Sequence, residues 1–335
     1  NRLTPAERHN DGLDYVPTHK GVLFGHHFAA IAGAGPLVGP VLAAQMGYLP
    51  GTLWIIFGVV FAGAVQDMMV LFVSMRRDGK SLGDIVKQEL GTVPGVIASI
   101  GILMIMVIIM AVLALIVVKA LVHSPWGTFT IAATMPIALF MGIYTRYIRP
   151  GKIGEISIVG FILLMLAVIY GEDVAHSSFG HIFDLDGIQL TWAIMIYGFV
   201  ASVLPVWLLL TPRDYLSTFL KIGTIAALAI GIVIVNPALQ MPAVTHFIDG
   251  SGPVFSGHLF PFLFITIACG AVSGFHALIS SGTTPKMLEN ETHVRMIGYG
   301  GMLMESFVAI MALAAAASLD PGVYFAMNRP AALIG

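Results

Sequence analysis

The sequence predicts an all-α polytopic membrane protein with about nine transmembrane helices, two of them discontinuous. Hydrophobic residues make up 57% of the 335 residues and charged residues only 10%, whereas about 25% charged residues is usual in soluble domains. The mean hydropathy is +0.91. Several runs also match the roughly 20 apolar residues that a helix needs to cross about 30 Å of hydrocarbon. These observations place any binding site within the bilayer.

The chain is predicted to form a single transmembrane domain over residues 1–335, with residues 1–25 as a lead-in. Ser81 is placed to cap a short surface helix over residues 80–91, and a plain loop is the alternative there. The chain begins at Asn1 with neither an initiator Met nor a signal-peptide pattern, so we expect a fragment of a longer chain. The nine predicted spans cover residues 28–48, 51–74, 94–118, 126–145, 153–170, 189–210, 222–239, 259–283 and 296–318.

The distribution of Lys and Arg predicts the orientation, because these residues are retained on the cytoplasmic side. With the amino end cytoplasmic, all Lys and Arg residues except Lys119 and Arg329 fall inside. The acidic loop over residues 171–188 then falls outside. A different number of spans would break this alternation.

Two predicted spans are poor continuous helices, because Pro removes a backbone donor and Gly lowers helix stability. Unwound backbone in hydrocarbon is tolerated only where it is buried in protein or lines a cavity. Both segments fit the pattern G-x-H-x5-G-x-x-P, and they lie an odd number of spans apart, so the two copies cross in opposite directions. Paired discontinuous helices in inverted repeats indicate a secondary-transporter site, although coincidence among common Gly and Pro residues is the alternative. The matching positions are Gly25, His27, Gly33 and Pro36 in the first segment and Gly274, His276, Gly282 and Pro285 in the second.

One carboxylate lies in the span after each broken segment, Asp67 after the first and Glu305 after the second. A carboxylate within the bilayer is costly and is functional by default. We therefore predict that Asp67 and Glu305 couple transport to a proton or a sodium ion. The alternative for Asp67 is a structural ion pair with Arg76 or Arg77 near the interface.

The broken segments also supply the predicted substrate contacts. Imidazole can bind a carboxylate or relay a proton, and hydroxyl groups and freed backbone amides can bind carboxylates or cations. The alternatives are histidines that only pack between helices and hydroxyls that bond back to their own helix. The predicted residues are His26, His27, Gly33, Gly35, His276, Ser280, Ser281, Gly282 and Thr283.

The composition also excludes several classes of function. A formal net charge of −2 gives no basic face for nucleic acid. The single cysteine, Cys269, excludes an internal disulfide and indicates no cysteine-based zinc or iron–sulfur site; a small buried residue is the expected role. No nucleophile and base are suitably arranged, so we expect no enzyme, no metal site and no cofactor besides the coupling ion.

The strings HNDGLDYVP from His9 and GHHFAAIAGAGP from Gly25 resemble the carbon starvation protein A family. So do AVQD from Ala64, RDYLSTF from Arg213 and SGFHALISSGTTPK from Ser273. The resemblance covers essentially the whole chain. It implies a multi-pass transporter of the bacterial inner membrane, associated with peptide uptake in carbon starvation, whose relatives include a proton-coupled pyruvate transporter.

Family members are longer, and the resemblance implies spans before and after this region. If two spans precede Asn1, the broken segments become the third and tenth, which favours an inverted seven-plus-seven plan. The alternative is a five-plus-five plan of the leucine-transporter type, which pairs the first span with the sixth and its Pro205. We predict a proton- or sodium-driven importer of small carboxylate-bearing nutrients, peptides or pyruvate. The alternative function is a membrane-embedded nutrient sensor or binding subunit without transport.

Overall fold

The computed structural model describes residues 2–329, and within that range it is helical, with one isolated bridge between Thr18 and Leu288 and no β-sheet. The predicted all-helical class is confirmed. Short helical turns lie at Pro5–Arg8, Gly180–Phe183, His246–Asp249, Leu259–Leu263, Phe264–Thr266, Ala268–Ala271 and Thr284–Lys286. The main helices are α1 (Lys20–Ile31), α2 (Gly35–Ala43), α3 (Tyr48–Arg76), α4 (Leu82–Leu90), α5 (Thr92–Leu121), α6 (Pro125–Ile148), α7 (Ile153–His176), α8 (Gly187–Val203), α9 (Leu210–Val235), α10 (Gly274–Gly282), α11 (Glu291–Ala317) and α12 (Pro321–Asn328).

Six of these helices, α3, α5, α6, α7, α9 and α11, are long and apolar enough to cross a membrane, judged by length and composition. The bent pair α1 and α2 makes a seventh if it counts as one span. The predicted sixth span corresponds to the shorter apolar helix α8, which ends at Val203 ahead of Pro205. The predicted eighth span is divided into several short helices. The count of nine spans therefore remains a prediction.

The seventh predicted span differs most from the structure. It was expected to begin at residue 222, with Lys221 in an inside loop, but α9 begins at Leu210 and carries Lys221 near its middle. The Lys221 ammonium donates to the carbonyl oxygens of Ala29 and Ala32, at 2.7 and 2.8 Å. A charge that has partners inside the bundle can lie within a helix that a hydropathy window would end.

Both predicted breaks are present. In the first segment, α1 ends at Ile31 and α2 begins at Gly35, with a bend of 45° between them. Pro36 follows in the first turn of α2, where its missing N–H removes no helical hydrogen bond. In the second segment, Val272 and Ser273 have extended backbone before α10 begins.

The two broken segments pack directly against each other, and glycines allow this close approach. A Cβ atom at Gly35 would lie 2.7 Å from the Cys269 sulfur. A Cβ atom at Gly39 would overlap the carbonyl oxygen of Thr266. Glycine at both positions therefore lets the backbone of α2 contact the second segment.

Loop contacts fall into two groups at opposite ends of the bundle. At one end, which we call the lead-in face, residues 8–18 contact the segments around residues 78, 207 and 286. Here Trp207 donates to Gly12 O at 2.9 Å, and Val16 N donates to Lys286 O at 3.2 Å. At the other end, Tyr48 N donates to Pro242 O at 3.3 Å.

Helix α4 forms in residues 80–91, for which the sequence predicted either a short helix or a plain loop. The Ser81 side chain accepts a hydrogen bond from Asp84 N, which caps the helix as predicted. Arg77, directly after α3, pairs with Glu89 on α4. These contacts fix α4 beside the end of α3.

Candidate functional site

The bundle encloses a buried cluster of two carboxylates and one imidazole. His276 Nδ1 lies 2.9 Å from Asp67 Oδ2, and His276 Nε2 lies 2.9 Å from Glu305 Oε2. All three side chains are 0% exposed. Because each ring nitrogen faces a carboxylate oxygen, an imidazolium can donate to both acids at once. We call Asp67, His276 and Glu305 the acid–histidine cluster.

The alternative partner for Asp67 is excluded by the positions of the arginines. Arg76 lies 3.0 Å from Glu291, and Arg77 pairs with Glu89. Asp67 instead faces inward to His276. The interpretation of Asp67 as an interfacial ion pair is therefore wrong.

Wide π-helical turns position both carboxylates. The turn Val59–Gly63 directly precedes the α-helical part of α3 that begins at Ala64 and carries Asp67 in its first turn. The turn Arg295–Tyr299 similarly precedes the α-helical part that carries Glu305. A π turn changes the direction of the side chains that follow it and is frequent at functional sites. The local backbone thus turns both acids toward α10.

Cys269 joins this cluster, which the sequence did not predict. Its thiol donates to Glu305 Oε1 at 3.2 Å and lies 3.9 Å from His276 Nε2. The potential metal-ligand atoms of Cys269, His276 and Glu305 lie within 4.8 Å of one another, a spacing that a metal ion would accept. However, a ring that donates through both nitrogens has no lone pair for a metal. The hydrogen bond of His276 Nδ1 to Asp67 Oδ2 and the ion-pair contact of His276 Nε2 with Glu305 Oε2 fit an imidazolium between two carboxylates.

The histidines of the first broken segment have different partners. His27 Nδ1 lies 2.8 Å from the hydroxyl of Thr284, so it links the first broken segment to the end of the second. His26 Nδ1 lies 3.0 Å from Asp214 Oδ2 on α9. Both histidines are buried. They lie inside the bundle and not at its surface.

The remaining predicted residues lie at the first break and at the carboxyl end of α10, and they differ in what they offer a ligand. Ser281 Oγ bonds back to Ala277 O at 2.7 Å, which is the structural alternative considered for it. Ser280 Oγ is buried with no hydrogen-bond partner among the described residues. At Gly33 and Gly282 an added Cβ would meet nothing within 4 Å, so both glycines border open space. Gly35 packs on the second segment, and Thr283 is half-buried just after α10.

A cavity of about 250 Å³ opens beside the first break. Its walls come from α1, α2, α9 and α11, and Lys221 is the charged residue among them. A second cavity, of about 460 Å³, lies at the lead-in face between Trp207, Arg146 and the lead-in. Of the predicted site residues, Gly33 lines the cavity of about 250 Å³, and none is among the described residues that line the cavity of about 460 Å³.

Three polar residues of the site, Cys269, Asp214 and Lys221, were not predicted from the sequence. Cys269 lies in an apolar run, whereas Thr284 belongs to the same Ser- and Thr-rich stretch as the predicted Ser280, Ser281 and Thr283. Asp214 and Lys221 stand in a stretch that resembled a loop because it is charged. The signal that could have found them is their spacing on one helix, since Asp214 and Lys221 are two turns apart and share a face.

The fold and the site define a helical membrane protein with two broken segments and a buried acid–histidine cluster that joins the second of them to α3 and α11. The chain belongs to the family of carbon starvation protein CstA, whose model matches residues 1–335. Membership confirms the resemblance carried by the sequence motifs. No solved structure matches the chain.

Curated relatives are similar along nearly the whole chain. The chain is 72% identical over 334 residues to the peptide transporter CstA of Escherichia coli (strain K12), covering 99% of this chain and 48% of the relative. It is 66% identical over 335 residues to the pyruvate/proton symporter BtsT of the same strain, covering 100% of this chain and 47% of that relative. A peptide transporter CstA of Bacillus subtilis (strain 168) is 52% identical, over 97% of this chain and 54% of the relative. The chain thus spans about half the length of the curated relatives it matches.

Proposed function

We propose that this chain is the site-bearing part of a secondary active transporter that imports peptides or pyruvate across the bacterial inner membrane by proton symport. The observation that carries the proposal is the acid–histidine cluster, buried where the second broken segment packs against α3 and α11. Relatives named as a peptide transporter and as a pyruvate/proton symporter support it. The family name supports a role in carbon starvation.

Charge counting explains how the cluster would couple to protons. Two carboxylates and one imidazolium leave one negative charge in excess in a region without water-like screening. One further proton would make the cluster neutral. The cluster can therefore alternate between a state with one negative charge and a neutral, protonated state. A transporter needs such a pair of states, one for each direction of its cycle. Sodium is less suited, because hard alkali cations prefer oxygen ligands and this cluster presents nitrogen and sulfur as well.

The proposed substrate contacts in the first segment are His26, His27, Gly33 and Gly35, at its break. Their proposed counterparts in the second segment are Ser280, Ser281, Gly282 and Thr283 at the carboxyl end of α10, and His276 links these to the cluster. Support comes from the open space at Gly33 and Gly282 and from the unpartnered hydroxyl of Ser280. In discontinuous helices, freed backbone groups are the usual ligands of substrates and ions.

We also propose nine membrane spans with the amino end cytoplasmic. Lead-in contacts support the alternation of these spans, and the Lys and Arg residues assign the cytoplasmic side: Tyr15 donates to Asp78 O at 3.0 Å, Trp207 to Gly12 O, and Val16 to Lys286 O. These partner segments are the ones that nine alternating spans would put on the inside. Helix α8 and the divided eighth span then connect opposite ends of the bundle, despite their short helices.

An inverted repeat is supported by the local form of the two motif copies. In each copy the G-x-H part lies in a helix, α1 or α10, that ends just before or at the second glycine of the motif. In each, the proline stands in the first turn of the next helix. We favour the seven-plus-seven plan over the five-plus-five plan because the latter leaves this match unexplained.

The test is uptake by the full-length protein in proteoliposomes. Labelled pyruvate and a labelled dipeptide are supplied separately, with and without an inward proton gradient, and with a sodium gradient as comparison. Accumulation of one compound only with inward protons is the expected result. Saturable binding without uptake under any gradient would contradict transport and would favour a sensor.

A further inference from the structure

Lys221 lies in an unusual position for a membrane helix. It stands near the middle of α9, which runs from Leu210 to Val235 and is apolar enough to span a bilayer. An ammonium group at such depth is costly unless it faces the bundle interior and finds partners there. Lys221 is partly buried against the first break, so its position calls for a local explanation.

The contacts of Lys221 leave part of its binding capacity open. Its ammonium donates to Ala29 O at 2.7 Å and to Ala32 O at 2.8 Å, the carbonyls at the end of α1. An ammonium has three N–H donors. Among residues 2–329, no carboxylate oxygen lies within 4.0 Å of Lys221. The ammonium is therefore held by two neutral carbonyls and has no anion in direct contact among the described residues, although the Asp214 and Glu305 carboxylates act on it through space.

The cavity beside Lys221 offers a place for that anion. Lys221, Gly33 and Thr224 line it, together with apolar side chains such as Phe28 and Val308. Gly33 presents no Cβ to it, so the backbone of the break is accessible from the cavity. A concave site with apolar walls and one placed charge is typical of small-molecule binding.

The size of the cavity restricts the ligand. Its volume of about 250 Å³ lies below the roughly 300–1,000 Å³ of sites for drug-sized ligands. It suits a carboxylate with few heavy atoms better than an extended peptide. Charge and size together indicate a small monocarboxylate.

We propose that Lys221 binds the carboxylate of a small monocarboxylate substrate in the cavity beside the first break. The inference rests on the proposed transport function and adds a binding residue to it. It also gives the first break a cation, in addition to its backbone groups.

The test compares pyruvate with its uncharged methyl ester, using the full-length protein in detergent. Wild-type protein should bind labelled pyruvate, and unlabelled pyruvate should displace the label far better than methyl pyruvate. In Lys221→Gln we expect the Kd for pyruvate to rise roughly tenfold or more, because a charge-assisted hydrogen bond is lost. The preference for pyruvate over the ester should disappear. The same change at exposed Lys119, which lies near the end of α5, is the matched control and should alter neither value.

A helix cap is the competing role for Lys221, because cations stabilise helix carboxyl ends. If Lys221→Gln lowers the melting temperature but keeps the preference for pyruvate, the lysine only caps α1 and the inference is overturned. Lys221→Arg keeps the charge and should keep the preference even if the affinity falls. A wild type that prefers the ester or a dipeptide over pyruvate would also overturn it.

Transport measurements separate this inference from the proposed function. If the wild type shows no proton-driven uptake but binds pyruvate through Lys221, the site stands and the transport function fails. If the wild type accumulates pyruvate and Lys221→Gln has an unchanged KM, the transport function stands and the Lys221 site fails.

Discussion

His27 and His276 hold the same position in the two copies of the G-x-H motif, but their surroundings are opposite. His276 lies between the carboxylates of Asp67 and Glu305, at 2.9 Å from each. His27 faces the neutral hydroxyl of Thr284 at 2.8 Å. Both segments therefore carry a break and a buried imidazole, whereas the partner side chains decide what each imidazole can do.

This difference separates two tasks along the repeat. The second break carries the excess negative charge that would exchange protons. The first break instead lies against the ammonium of Lys221 and a small cavity. We infer that the coupling ion binds beside the second copy, whereas the substrate contacts both copies and places its carboxylate at the first, so that the repeat is symmetric in backbone and asymmetric in charge.

The largest effect should come from neutralising the acids beside His276. In Asp67→Asn and Glu305→Gln the amide cannot take up and release a proton, so gradient-driven accumulation should be abolished. Labelled uptake with and without a proton gradient measures this. Exchange of labelled for unlabelled substrate without a gradient should persist, which controls for folding. Unchanged accumulation in both variants would contradict the coupling role.

The stability of the two histidine variants provides a second test of the contrast. His276→Gln removes the cation between two buried carboxylates, and breaking such a buried pair costs about 3–5 kcal/mol. His27→Gln disturbs one neutral hydrogen bond, which is worth about 1 kcal/mol. Thermal unfolding in detergent at neutral pH compares them. Lowering the pH should reduce the difference in stability between the two variants, because protonated carboxyl groups of Asp67 and Glu305 no longer repel each other. Equal losses at neutral pH would show that the two environments are energetically alike.

A smaller effect is expected at the partner of His27. Thr284→Val removes the hydroxyl at constant shape, and the stability should fall by about 1 kcal/mol. Proton-coupled accumulation should remain, because Thr284 does not contact the acid–histidine cluster. Thr130→Val is a matched control, since that hydroxyl bonds only to its own helix at Trp126 O. Loss of coupling in Thr284→Val alone would extend the proton pathway to the first break.

The smallest effect should follow replacement of the thiol next to Glu305. In Cys269→Ser the hydroxyl can donate to the same oxygen, so uptake should stay within about twofold of wild type, as expected for a hydrogen-bond change of a few tenths of a kcal/mol. Cys269→Ala removes the donor and should have the larger effect of the two. Initial rates at fixed gradient measure both. A Ser variant as impaired as the Ala variant would show that the sulfur itself is required.

Sequence reasoning found the features that each residue carries by itself. Asp67 and Glu305 were evident as carboxylates in apolar runs, and the breaks were evident from Gly and Pro. Their convergence on His276 was not, because Asp67 and His276 are 209 positions apart. Only the packing of α3 against α10 and α11 brings the three side chains together.

Lys221 shows why the span limits were harder to predict. Charged residues ended the predicted sixth span and moved the predicted start of the seventh to residue 222. A hydropathy window counts a charged residue without regard to its partners. In the structure Arg213 lies over the ring of Tyr197 at 4.7 Å, and His26 pairs with Asp214. These partners come from other helices and are invisible in a local window. The same limitation concealed the role of Cys269.

The bridge between the lead-in and the second broken segment has a mechanical consequence. Val16 and Thr18 donate backbone hydrogen bonds to Lys286 and Met287, just beyond α10. Any displacement of that segment is therefore transmitted to the lead-in, whose residue Glu7 lies on the surface. A fluorescent label near Glu7, which is exposed, would consequently report on the second break without any alteration of the buried site.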